Sequence, residues 1–285
     1  MRLATPRYIG SEIYRGSSYG PKHPLAIPRV STCTDLVHAM GWLDPAVFHE
    51  APMATDAQLL RFHDAGYVAA LRRAEATQSV SAADRDRYRI GAEGNPVFRH
   101  VFSRPATSAG GVMLGARLTQ GGGVVHCPGG GTHHGRRDRA SGFCYLNDSV
   151  LGILEWLDGG LDNIVYLDID AHHGDGVQDA FHDDPRVLTI SVHERGRWPF
   201  SGLAEDRAGG AARNFPVEAG FNDSEMRFLM EAAILPLIRA RQPQAIMLQA
   251  GADALEEDSW RSWHCPTTRI GRWWRRWMTS HRGCW

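Results

Sequence analysis

The chain has 285 residues, 43% hydrophobic and 22% charged, with a formal net charge of −1. That length suits one large domain or two small ones, and the composition is globular rather than fibrous or disordered. The charge balance offers no bulk attraction to nucleic acid or an anionic membrane, and no apolar run of about 18 residues reads as a membrane span.

Five scattered cysteines (Cys33, Cys127, Cys144, Cys265 and Cys284) show no C-x-x-C spacing. An odd, dispersed set argues for a reducing compartment over a disulfide framework. Residues 1–10 carry no apolar leader, so the expected location is the cytoplasm.

In chain order, residues 7–14 read as a first strand, 20–24 as a loop and 31–42 as a helix. Thr55 and Asp56 cap a helix whose apolar positions Leu59, Leu60, Phe62, Val68 and Leu71 suit a 3.6-residue period. Residues 72–100 are polar, rich in Arg and Asp, and read as a loop near a substrate mouth. Residues 106–119 form a helix rich in small residues. Residues 121–128 are a short strand that ends in GGGTHHG, residues 129–135. Two adjacent histidines on a glycine loop, His133 and His134, are either a surface pair or part of a site; an acidic, histidine-rich loop elsewhere favours the site. Residues 141–148 lead into a helix that ends near Asp158. Phe143, beside Gly142, is either a pocket wall or core, and its composition alone favours core.

The densest chemistry follows in YLDIDAHHGDGV, residues 166–177. An apolar run opening into carboxylates, imidazoles and glycines reads as a buried parallel strand with a functional loop at its C-terminal end, where ligands sit in open α/β sheets. Alternation along an extended chain points Asp168, Asp170 and His172 to one face. His173 and Asp175 need the turn at Gly174 to swing round. One imidazole with carboxylates is a chelating set for zinc or ferrous iron. The alternative, a salt-bridged loop, leaves like charges crowded and costly to bury. Residues 187–193 are another strand, 223–240 an amphipathic helix with Met226, Leu229, Met230, Ile234, Leu237 and Ile238 on its apolar face, and 245–249 a strand that ends before Asp253. Strand and helix alternate as in a parallel α/β sheet, with the polar clusters at one edge. One continuous domain is expected to about residue 258.

GGGTHHG, SGFCYLND, YLDIDAHHGDGV, TISVHE and QAGAD, in that order, resemble the zinc-dependent histone deacetylases of the arginase/deacetylase fold. GPKHP, RFHDAGYVAALR, GNPVF and RPATSAGG look most like the bacterial acetoin-utilisation branch. The resemblance implies a three-layer αβα architecture with a mainly parallel central sheet. It implies zinc ligands Asp170, His172 and Asp253, with Fe(2+) as an alternative ion, and a catalytic pair His133 and His134. Asp168 and Asp175 orient that pair, toward His133 and His134 respectively. A structural potassium site draws on Asp168, Asp170, His172, Ser191 and Val192. Gly142 and Phe143 form one wall of an acyl-lysine tunnel and Trp198 the other. The implied substrate is acetylated lysine in a protein, or a small acetylated amine, with no nucleic acid or membrane partner.

The ureohydrolase side of the same fold binds two manganese ions through further carboxylates. This chain has Gly174 and Leu255 where those carboxylates would stand, so a one-metal site is expected.

After Asp258 the pattern departs from the family. The family's further strand–helix units and its Gly-Gly-Gly-Gly-Tyr loop are not matched; a hydrogen-bond donor such as that tyrosine is worth about 10²–10³ in rate. Residues 259–285 instead hold six of the nine tryptophans and six arginines. Such a segment resembles a basic, aromatic binding surface. Codons for Trp260 to Trp277 can be chosen so that a shifted frame reads LALVALSNNAHWAVVAAL, which resembles the family's continuation. The expectation is therefore a catalytic domain over 1–258, truncated by a frameshift near Ser259, with an aberrant tail. Two functions stay open: an active deacetylase, or an inactive relative that keeps only metal or acyl-lysine binding.

Overall fold

The computed structural model describes residues 5–21, 23–92 and 94–255. The expected Trp- and Arg-rich tail lies outside the described residues. The described chain forms two compact units, divided after Gly160.

In the first unit β1 (Arg7–Gly10) is the middle strand of a three-stranded sheet. The expected strand over 7–14 is shorter than its sequence suggests. Ser11 accepts the Ile13 N–H on its side chain and the Tyr14 N–H on its carbonyl, a local competition that turns the chain out of the sheet into α1 (Ile13–Gly16). α2 (Arg29–Ala39) matches the helix expected over 31–42, begun earlier and ended sooner. β2 (Phe48–Glu50) follows and pairs with β1.

The helix expected after Thr55 is two helices. Thr55 and Gln58 form a reciprocal capping box on α3 (Asp56–Leu59), but the chain breaks and restarts at α4 (Ala65–Thr77). Asp64, between them, donates its backbone N–H to the distant Arg137 carbonyl at 3.0 Å, and that tertiary bond replaces a helical one. Residues 72–100 are not one loop. α4 runs to Thr77, and α5 (Ala82–Tyr88) starts at Ser81, whose side chain accepts the Asp84 N–H at 3.1 Å. A serine cap was legible there, hidden by the polar composition.

α6 (Ser103–Thr119) buries most of its small residues. A Cβ added at Gly110 would lie 1.9 Å from the Pro52 carbonyl oxygen. Backbone cannot yield as a flexible side chain does, so Gly110→Ala is expected to lower unfolding free energy by about 1–3 kcal/mol. Gly121→Ala, where a Cβ meets nothing within 4 Å, is the control. Urea unfolding of both variants checks this; equal midpoints would contradict it. β3 (Val125–His126) completes the sheet, all of it parallel. α7 (Asp148–Asp158) then packs on α6, with Trp156 Nε1 donating to the Ala116 carbonyl at 2.9 Å.

The second unit holds a four-stranded parallel sheet, order β6-β5-β4-β7. β4 (Ile164–Asp168) is buried at every position, as a strand covered on both faces should be. α8 (Asp175–Ala180) and β5 (Val187–Glu194) follow it. β6 (Ala212–Val217) was not legible, because Pro216 weakens a strand reading; it lies at the end of the strand order, where proline is tolerated. The helix expected over 223–240 forms as α9 (Asp223–Leu229), a π turn (Met230–Ile234) and α10 (Leu235–Arg241). Pro236 lacks an N–H and crowds the preceding turn, which accounts for the widening. Met226, Met230, Ile234 and Ile238 are buried, while Leu229 and Leu237 are half-buried. β7 (Ala245–Gln249) pairs with β4.

Asp168 is in register with Ser191 on one side and Gln249 on the other. The segments after β4, β5 and β7 therefore leave the sheet at one edge.

Candidate metal centre and histidine loop

Three side chains from that edge converge. Donor atoms of Asp170, His172 and Asp253 all lie within 4.8 Å of one another. His172 Nδ1 is 3.0 Å from Asp170 Oδ1 and 2.7 Å from Asp253 Oδ2. Asp170 Oδ1 also accepts the His172 backbone N–H at 2.8 Å, and Asp253 Oδ1 that of Ala171 at 3.3 Å. Glycine at 251 is required, since a Cβ there would stand 1.8 Å from Asp170 Oδ2. Burial opposes protonation of His172, but the two carboxylates outweigh it and raise its pKa to about 9. One imidazole facing two carboxylates fits a divalent cation of the zinc or ferrous class, which would replace the shared proton.

Around this set, Asp168 is fully buried; it accepts the Tyr166 O–H at 2.7 Å and the Asp170 N–H at 3.0 Å. Gly174 makes room for it, because a Cβ there would come within 2.3 Å of Asp168 Oδ2. Asp175 begins α8 and accepts the Gly176 N–H at 2.8 Å. Ser191 donates to His193 Nδ1 at 2.9 Å, and Val192 is buried. His173 is not among the metal-facing groups. It bonds Ser201 at 2.8 Å and Gln178 at 3.0 Å. The Trp198 ring is partly exposed, edge-on to His172 at 6.2 Å between centroids. Arg197 Nε stands 3.1 Å from His172 Nε2, a contact the motifs did not suggest.

The first unit carries the histidine loop. The His133 and His134 rings are buried, 3.9 Å apart between centroids. Asn147 donates its side-chain amide to the carbonyls of His133 at 3.1 Å and Gly135 at 2.9 Å. Asp148 accepts the N–H groups of Gly131 at 3.2 Å and Thr132 at 3.0 Å, and the Ser108 hydroxyl at 2.5 Å. Gly142 and Phe143 both have positive φ, 53° and 66°. Phe143 tolerates this left-handed backbone, uncommon for an aromatic, because Asn95 Oδ1 accepts its N–H at 2.9 Å. Its ring is half-buried, packs against the core of the first unit and meets His23 edge-on at 4.5 Å. Asn147, Asp148 and Tyr166 lay within recognised motifs, but no role was read for them. The Asn–Asp pair at a helix start is a cap signal that could have pointed to the first two.

Two buried histidines outside these sets titrate low. Burial pushes His63 down to about 4. Burial, with His173 adding to it, does the same for His193. The unfolded chain takes up these protons near pH 6.5 and the folded chain only near 4. Stability is therefore full above about pH 6.5 and falls toward pH 4, by up to about 1.4 kcal/mol per pH unit for each histidine. Denaturant unfolding at pH 7.5 and 5.0 checks this, and a slope unchanged in His63→Gln would contradict the assignment.

The sequence pattern of the histone deacetylase domain matches residues 23–284. The chain belongs to the histone deacetylase family. It is 35% identical over 249 residues to histone deacetylase RPD3 of Saccharomyces cerevisiae, covering 85% of this chain and 57% of RPD3. It is 32% identical over 255 residues to the acetoin utilization protein AcuC of Bacillus subtilis, covering 87% of this chain and 66% of AcuC. The chain thus spans about half to two thirds of the length of such relatives. Among solved structures, an HDAC homolog complexed with SAHA superposes with a TM-score of 0.87 at 35% identity, over 92% of this chain and 72% of the homolog. An HDAC homolog from Aquifex aeolicus gives 0.86 at 35% identity, over 91% and 72%. The parallel sheets with flanking helices in this chain are those of the arginase/deacetylase fold expected from its motifs. Among the described residues no helix is long and apolar enough to cross a membrane.

Proposed function

We propose that this family member is a metal-dependent amide hydrolase that removes acetyl groups from acetyl-lysine, in a protein or on a small acetylated amine. The observation that carries the reading is the convergence of Asp170, His172 and Asp253 donor atoms within 4.8 Å. A zinc ion held there, with Fe(2+) the alternative, supplies a Lewis acid for the amide carbonyl and acidifies water toward a pKa of roughly 7.

His134 takes the proton of the attacking water and gives it to the departing amine nitrogen. The products are acetate and a free amine. His133 beside it adds electrostatic support. Asp168 and Asp175 orient the two rings and raise their basicity. Gly142, Phe143 and Trp198 line the acyl-lysine tunnel. Asp168, Asp170, His172, Ser191 and Val192 would hold a structural potassium ion. Residues 1–258 make up the catalytic domain, acting in the cytoplasm.

Acetate release from an acetyl-lysine peptide, with added Zn(2+), tests the reading. Turnover suppressed by a chelator and by SAHA supports it; no turnover in a folded, metal-loaded sample rejects it.

A further inference from the structure

His63 lies outside every residue set assigned above, yet it is buried in the turn between α3 and α4. Its Nε2 accepts the Asn147 backbone N–H at 3.0 Å, and its Nδ1 stands 3.3 Å from the Arg137 carbonyl oxygen. A ring that accepts at Nε2 must carry its proton at Nδ1, so His63 is neutral and donates to Arg137. Its lowered pKa agrees with that state.

Asn147 uses both amide protons on the carbonyls of His133 and Gly135, the two residues that bracket His134. Its Oδ1 accepts the Val150 N–H at 3.0 Å and so ties the loop to α7. There is no slack at this junction, since a Cβ on Gly135 would lie 2.8 Å from the Asn147 nitrogen. Neighbours of His63 grip the same loop. Asp64 donates its N–H to the Arg137 carbonyl at 3.0 Å, and the Tyr67 hydroxyl donates to the Tyr145 carbonyl at 2.5 Å. Segment 63–67 therefore holds the 133–147 loop at Arg137, Tyr145 and Asn147.

We infer that His63 is a positioning residue for the histidine pair, fixing through Asn147 the backbone from which His133 and His134 project. The catalytic consequence rests on the deacetylase reading; the structural claim does not. A proton shuttle works only within hydrogen-bond reach, and a displacement of about 1 Å can cost about 10²-fold. The competing account is that His63 merely fills space against Phe62 and Tyr67, whose rings it meets at 4.8 Å and 5.9 Å.

Three substitutions separate the accounts. His63→Gln places an amide oxygen where Nε2 stands and keeps the acceptor for Asn147. His63→Asn places an amide nitrogen where Nδ1 stands and keeps only the donor to Arg137. His63→Leu keeps bulk alone. Each is measured in the full, metal-loaded chain for kcat and KM on an acetyl-lysine peptide, and for amide hydrogen exchange across residues 133–147. The Asn and Leu variants are expected to lose about 10–100-fold in kcat with KM within about threefold, and to exchange faster in that loop, while Gln stays within about threefold of wild type. Equal behaviour of Gln and Asn, or a wild-type kcat and exchange pattern in Leu, overturns the inference. Should Leu fail to fold, the Gln–Asn comparison still decides. If the wild-type chain releases no acetate, the deacetylase reading falls, and the exchange comparison alone decides the claim for His63.

Discussion

Replacing His134 with alanine is expected to lower kcat by about 10²–10⁴-fold, with KM and metal content near wild type. An amide is a weak electrophile with a poor leaving group, so a proton must be taken from water and delivered to nitrogen within one turnover. His134 suits both transfers. It is buried beside His133 on a backbone fixed by Asn147 and Asp148, so its ring is held rather than wandering. None of the donor atoms grouped around the candidate metal belongs to it, and for that reason metal content should survive its removal. His133→Ala should cost less, because the proposed mechanism gives His133 charge support and not the proton. Steady-state kinetics with metal analysis of the same samples checks both. A His134→Ala enzyme within about tenfold of wild type would remove the assigned role.

Asp253→Ala is expected to abolish stoichiometric metal binding, weakening affinity beyond the roughly 10–100-fold that loss of an outer hydrogen-bond partner costs. Asp253 reaches the set from a stretch 82 residues away from Ala171, whose N–H it accepts. Without it, one imidazole and one carboxylate remain, too few donors to exclude competing water from a divalent ion. Asp162→Ala is the control, a carboxylate at the other end of β4 whose backbone N–H bonds the Gln244 side chain. Metal content after gel filtration, and competition against a chelator of known affinity, measure the effect. Full metal occupancy in Asp253→Ala would contradict it.

Much of this was legible in the sequence, for a physical reason. β4 is apolar from Ile164 to Leu167, apart from the Tyr166 hydroxyl, and the chain then carries carboxylates and an imidazole, a change that suits a sheet edge bearing a ligand. Strand alternation does not account for the meeting of Asp170 and His172, because β4 ends at Asp168 and the chain bends from Asp170 onward. What stayed hidden depends on partners far along the chain. α3 stops short because Arg137 draws in the Asp64 N–H, and no local pattern foretells that. His63 looks like any histidine in RFHDAGYV until its bond to Asn147, 84 residues on, is seen. β6 hid behind Pro216, and α5 behind a polar composition that Ser81 nonetheless caps.

X-ray absorption at the zinc edge of the reconstituted chain tests the central claim most directly. One ion per chain is expected, with only nitrogen and oxygen neighbours at about 2.0–2.2 Å, and with that signal lost in Asp253→Ala. Sulfur neighbours near about 2.3 Å, or a second metal at about 3.5–4 Å, would contradict a single ion held by Asp170, His172 and Asp253.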